Sequence, residues 1–263
     1  LEQLRDGEPL RRGVALVQLP TTAGPGSEVT RWASLWDAGS KWSVASPFGY
    51  ADRAVVDPAL TDTAGARLTA SSGLDALTHA CEALWGRGHN PISDLHAVRA
   101  LELLAEHLLP AVQAAHALGP DGVPPDRRDG LSLASLHAGL AFSNTSTALA
   151  HALSYDFTGR HGLEHGLAVG LLLRGSLPFN VEVAPGRVAR AAAALGCEDV
   201  AQVAALLDDV FAAAGLVPSL AALGVPREAH EPAVATALHG ARLANNPGEP
   251  DAAALRSLLE RVA

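Results

Sequence analysis

A change of texture near residue 60 constrains this chain more than any other feature. Beyond it, apolar residues recur at the three- and four-residue spacing that lines one face of a helix. The pattern predicts helices over residues 64–84, 91–117, 126–153, 165–177, 185–195, 199–214, 216–223, 227–238 and 251–262. Asn90-Pro91 places a capping side chain before proline at the first helical position, where a missing N–H costs nothing. Gly119-Pro120 and the run from Gly122 to Pro125 mark a loop between two long helices. Before residue 60 the runs are short and β-branched. Residues 14–19, ended by Pro20, fit a buried strand, and 29–36, 43–45 and 54–56 are further strand candidates. The small-residue loop Thr21-Thr22-Ala23-Gly24-Pro25-Gly26-Ser27-Glu28 separates the first two. The expected organisation is an α/β piece over residues 1–61 and an all-helical domain over residues 62–263.

Composition narrows the partners. A chain of 263 residues with 48% hydrophobic content has ample material for a core. A net charge of −9 and no basic stripe argue against nucleic acid. No run of about 20 apolar residues is present, so no membrane span is expected. No signal peptide opens the chain, and Cys81 and Cys197 stand far apart without a metal-type partner, which reads as free thiols in the cytoplasm. There is no methionine, so Leu1 is not expected to be the natural start. Lys41 is the only lysine against 18 arginines, which suggests a role that arginine does not serve.

Asp75-Ala76-Leu77-Thr78-His79 sets a carboxylate and an imidazole at i and i+4, on one helix face. His151 and His165 follow on later helices, the second just after Gly162 and Glu164. Three neutral imidazoles and one carboxylate suit Zn²⁺ or Fe²⁺ in a catalytic site that keeps a position for substrate oxygen. Spacing alone leaves the alternative open, because an Asp-x₃-His pair on a helix is more often structural.

The segment from Gly73 to Ala83, GLDALTHACEA, resembles the metal-binding helix of the iron-containing alcohol dehydrogenases. Pro20 to Thr30 is similar to their nucleotide-facing loop, Asn90-Pro91-Ile92-Ser93-Asp94 to a family helix start, and Asn245-Asn246-Pro247 to their C-terminal turn. AGLAFSN, residues 138–144, precedes His151, and Glu164-His165-Gly166 resembles the last ligand segment. The matches run in order through nearly the whole chain. The resemblance implies metal ligands at Asp75, His79, His151 and His165. It implies cofactor contacts at Thr21, Thr22, Gly24, Gly26, Ser27 and Lys41, the last near the ribose. It implies Fe²⁺ or Zn²⁺ with NAD or NADP, and hydride transfer between nicotinamide and a small alcohol or aldehyde. It further implies a homodimer, and a Rossmann-like nucleotide-binding remnant followed by an all-α metal-binding domain, a dehydroquinate synthase-like architecture.

Two departures matter. The family usually carries a proton-relaying histidine four residues after the third ligand, and here that position is Tyr155. Proton transfer then runs through water, through Tyr155 with a lowered pKa, or through His161. Ser154-Tyr155, Thr158 and Arg160-His161-Gly162 resemble the phosphonoacetaldehyde reductase branch, which implies Arg160 facing an anionic substrate group. The second departure is the absence of the Gly-Gly-Gly-Ser turn that holds the pyrophosphate in the family, with residues 1–12 as a remnant of the helix after it. That leaves two further expectations: a truncated, non-catalytic metal-binding homologue, or a metal-dependent lyase of the same fold.

Overall fold

The structure, a computed structural model, describes residues 13–37 and 40–263, with the side chains of residues 36–42 outside the description. The expected helix over residues 1–12 therefore lies outside the described residues, as does the side chain of Lys41. Four short strands come first: β1 (Val17–Gln18), β2 (Trp32–Asp37), β3 (Ser40–Ala45) and β4 (Arg53–Ala54). β1 pairs with β4 in parallel, and β2 and β3 form an antiparallel hairpin in which Trp32 faces Ala45 and Trp36 faces Lys41. Helices follow: α1 (Ala66–Trp85), α2 (Pro91–Leu118), α3 (Pro125–Thr145), α4 (Leu149–His161), α5 (His165–Val183), α6 (Pro185–Ala194), α7 (Val200–Ala213), α8 (His230–Leu238) and α9 (Ala252–Glu260).

The helix starts follow local chemistry. Asn90 accepts from the backbone of Ile92 and Ser93 while Ser93 Oγ accepts from the Asn90 N–H, a reciprocal cap behind Pro91. Asp199 and Asp251 cap α7 and α9 in the same acceptor role.

α1 is the central helix. From Thr69 to Trp85 every residue except Ser72 is buried, and α2, α3 and α5 pack around it. A helix enclosed this way needs small residues where neighbours come close. Gly73 sits under Leu108, and a methyl group on Gly166 would lie 1.8 Å from the carbonyl oxygen of Ser71. That contact is backbone and has no rotamer to yield, so α5 must move off α1. Gly166→Ala is expected to cost about 1–3 kcal/mol in denaturant unfolding and to displace the adjacent His165.

Three expectations are corrected. The strand over 14–19 is not buried: Val14 is 79% exposed, Val17 52% and Leu19 52%. β1 has only β4 as a neighbour among the described residues, so its faces stay uncovered. The single helix over 126–153 is two, broken at Ser146, whose φ of 76° and ψ of 170° no helix accommodates. The helix over 216–223 is a turn. Gly215 in left-handed conformation ends the preceding segment, and the Leu220 N–H turns out to bond the carbonyl of Val262. No helix among the described residues is long and apolar enough to cross a membrane.

Candidate metal centre

The spacing along α1 puts Asp75, His79 and Glu82 on one face, at i, i+4 and i+7. The break at Ser146 does the rest. It starts α4 at Leu149, so His151 falls in a helical first turn rather than near the end of a longer helix, and α4 aims its N-terminus at α1. His165 opens α5 after Gly162 reverses the chain in left-handed conformation.

These elements bring the four ligand candidates together around one carboxylate oxygen. Asp75 Oδ1 lies 3.6 Å from His79 Nδ1, 3.5 Å from His151 Nε2 and 3.9 Å from His165 Nε2. The ligand atoms of Asp75, His79 and His151 all lie within 4.8 Å of one another. Asp75 Oδ1, His79 Nδ1 and His151 Nε2 are buried and make no hydrogen bond. Three inward-facing orphans in one place are costly in a protein that has no other use for them. A divalent ion would satisfy all three at once, and the donor set of imidazole and carboxylate fits iron or zinc.

Glu82 orients the site from behind. Its buried carboxylate accepts from His151 Nδ1 at 2.7 Å and from the backbone N–H groups of Ala148 and Ala150 at 2.6 Å each. It thus caps the start of α4, where free N–H groups favour an anion. It also fixes the His151 tautomer, leaving Nε2 as the lone-pair nitrogen that faces Asp75. Phe142 stacks on His79 with ring centroids 4.0 Å apart. Asn245 braces the break: it donates to the carbonyls of Ser146 and Thr147 and accepts from the Gly88 N–H.

The charge states of Asp75 and His79 suit a metal ligand, and that of His151 opposes one. Burial alone would raise the Asp75 pKa, but His79, His151 and His165 hold its carboxyl well below the usual carboxylate range. Burial pushes His79 down to about 3, so it is already neutral near pH 7. His151 sits above its ordinary value: burial would lower it, but Glu82 and Asp75 together outweigh burial. A metal at Nε2 therefore competes with a proton on His151. Affinity is expected to rise with pH through the neutral range, by up to tenfold per unit, and to level off above the raised His151 pKa. Metal titrations at pH 6, 7 and 8 check this, and an affinity that rises on acidification contradicts it.

The ligands open onto a cleft of about 260 Å³ bordered by Ser27, Trp32, Thr147, Tyr155 and Arg242. Of the cofactor candidates, Ser27 lines this cleft, whereas Thr22 borders a separate small cavity and Thr21 is exposed. Gly24 and Gly26 have a packing reason. A methyl group on Gly24 would lie 2.7 Å from the Ser72 carbonyl, and one on Gly26, at φ 55°, 2.6 Å from Gly139 Cα. Lys41 stands on β3 opposite Trp36.

The proton-transfer candidates are corrected in two respects. Tyr155 is at the cleft, but its pKa is not lowered. Burial pushes the phenol up to about 12, with Arg242 only partly opposing. It is a hydrogen-bonding hydroxyl and no base near neutral pH. His161 is exposed at the last residue of α4 and does not border the cleft, because the helix axis carries it away from His151. Arg160 likewise points off the site and pairs with Asp156 at 2.9 Å. Sequence reasoning missed Glu82, which stands within the GLDALTHACEA segment and was detectable as the i+7 partner of Asp75. It also missed Arg242, which carries no spacing signal.

Residues 69–263 match the C-terminal model of the Fe-containing alcohol dehydrogenase family. The chain is 35% identical to 1-propanol dehydrogenase PduQ of Salmonella typhimurium, over 94% of this chain and 69% of the relative. It is 32% identical to the sulfoacetaldehyde reductase of Bilophila wadsworthia, over 93% of this chain and 65% of the relative. A solved sulfoacetaldehyde reductase from Bifidobacterium kashiwanohense, in complex with NAD⁺, superposes with a TM-score of 0.85 at 33% identity, over 95% of this chain and 65% of that one. A solved 1,3-propanediol oxidoreductase gives a TM-score of 0.87 at 29% identity, over 97% of this chain and 68% of that one. The chain thus spans between about half and two thirds of the length of the curated relatives it matches.

Proposed function

The chain belongs to the Fe-containing alcohol dehydrogenase family, and on that premise we propose that it is a metal-dependent, NAD(P)-linked alcohol dehydrogenase or aldehyde reductase. The observation that carries the reading is the set of three buried, hydrogen-bond-less ligand atoms on Asp75, His79 and His151 at the floor of an open cleft. Asp75, His79, His151 and His165 would hold one ion, Fe²⁺ or Zn²⁺, which as a Lewis acid polarises a carbonyl or steadies an alkoxide. The nicotinamide, as NAD or NADP, supplies or accepts the hydride.

The protein's own part is positioning. Glu82 holds His151 in the ligating tautomer. Phe142 and Trp32 give the cleft apolar walls that exclude water beside the ligands. Ser27 and Thr147 offer hydroxyls at the rim. Tyr155 donates a hydrogen bond without ionising, so the proton leaves or enters through water. The loop from Thr21 to Ser27 and the β3 residue Lys41 are the proposed cofactor contacts, and a homodimer is the proposed assembly.

The test is turnover by the chain loaded with stoichiometric Fe²⁺ or Zn²⁺, given short aldehydes with NADH or NADPH and short alcohols with the oxidised cofactors. Reduction of aldehydes is the expected result. A loaded chain that turns over none of them contradicts the reading, and a parallel cofactor titration then separates a non-catalytic metal-binding homologue from an enzyme of different substrate. Tyr155→Phe is expected to lower kcat by less than about tenfold, the size of one neutral hydrogen bond. A loss of a thousandfold would make the phenol the proton donor after all.

A further inference from the structure

Among the described residues, Arg242 is the one arginine that borders the cleft over the ligand candidates. Its guanidinium carbon lies 4.9 Å from the Trp32 ring centroid and 5.9 Å from that of Tyr155, so two aromatic rings flank it. Nη1 donates to Thr147 Oγ1 at 2.9 Å and to Ser146 Oγ at 3.3 Å. Both hydroxyls sit at the break between α3 and α4, where Ser146 is held at positive φ. The arginine is therefore pre-organised by the same kink that delivers His151. Among the described residues Nε and Nη2 meet no hydrogen-bond acceptor, and no carboxylate pairs with the charge.

Arg174 pairs with Asp208 and Arg190 with Asp94, and the buried Arg128 is held by the carbonyls of Asp62, Ala64 and Pro120, whereas Arg242 is held through Nη1 alone and borders the cleft. Here a half-buried cation lines the same cleft as Asp75, His79, His151 and His165. Two positive centres on one small cleft favour a ligand with two oxygen-bearing ends. One end is the reacting hydroxyl or carbonyl. The other is an oxyanion that takes the free Nε–Nη2 edge of the guanidinium in a bidentate grip.

We propose that Arg242 is a specificity-determining residue that selects short aldehydes and alcohols carrying a terminal sulfonate, phosphonate or carboxylate. This deepens the metal-site reading above and rests on it.

The test measures binding without turnover or nicotinamide. The Co²⁺-loaded chain is titrated with 2-hydroxyethanesulfonate, 3-hydroxypropanoate and 1-propanol, following the Co²⁺ absorption and calorimetry. Arg242→Gln is expected to weaken both anions by roughly 30-fold, the size of a lost charge-assisted pair, and 1-propanol by less than threefold. Arg242→Lys keeps the charge without the fork and is expected to fall between. Equal weakening of all three ligands, or no weakening of the anions, overturns the proposal. Unchanged Co²⁺ stoichiometry shows the variants folded. If Arg242→Gln unfolds, the wild type decides: anion affinity no greater than that for 1-propanol overturns the proposal, and a preference lost on raising salt supports it. Failure is separable from failure of the enzymatic reading, because anion selectivity is read here with no reaction.

Discussion

Asp75→Asn is expected to abolish stoichiometric binding of Fe²⁺, Zn²⁺ or Co²⁺, lowering affinity by well over 100-fold. Asp75 is the hub of the centre: its Oδ1 faces all three histidines at 3.5–3.9 Å. Loss of a group that only orients a ligand costs metal sites about 10–100-fold, so loss of the sole charged ligand costs more. The amide also removes the charge that offsets a dication in a buried place. The fold itself should survive, because the Asp75 oxygen that faces the histidines makes no hydrogen bond in the protein. Calorimetric titration checks affinity, and thermal unfolding without metal checks the fold. Unchanged affinity would remove Asp75 from the site.

Glu82→Ala is expected to damage both fold and site. It leaves the N–H groups of Ala148 and Ala150 buried without an acceptor and frees the His151 ring to rotate. Each buried donor left unpaired costs about 1–3 kcal/mol, and breaking a buried His–carboxylate pair belongs to the same scale, so a total of about 3–5 kcal/mol is expected. That corresponds to roughly 10 °C in Tm for a chain of this length. Metal affinity should fall about 10–100-fold. Glu82→Gln keeps the volume and one acceptor, so it should retain more stability than the alanine variant while still losing metal affinity. If Glu82→Gln bound metal as the wild type does, orientation of His151 would not depend on the carboxylate.

Much of this was legible in the chain itself. The i, i+4 pair Asp75 and His79 needs only helical geometry to converge, and the family-like segments placed His151 and His165 beside it. The bounds of α1 and α2 follow from small-residue periodicity and from Asn90-Pro91. What was not legible depends on tertiary context. The break at Ser146 has no glycine or proline to announce it. It is held by Asn245, a hundred residues away in sequence, and by Arg242. Helical periodicity runs straight across such a break, so residues 126–153 read as one helix. Glu82 and Arg242 both act on groups brought in by that kink; the helical i+7 spacing from Asp75 offered a signal for Glu82, whereas Arg242 carries none. The raised Tyr155 pKa comes from burial against neighbours that a linear sequence does not display.

We propose that Asp75, His79, His151 and His165 hold one divalent ion. X-ray absorption of the chain loaded with one equivalent of Zn²⁺ tests it most directly. Three imidazole nitrogens and one carboxylate oxygen at about 2.0–2.2 Å are expected, with the imidazole signal reduced by one in His151→Ala. A shell without imidazole scattering, or one unchanged in His151→Ala, would contradict it.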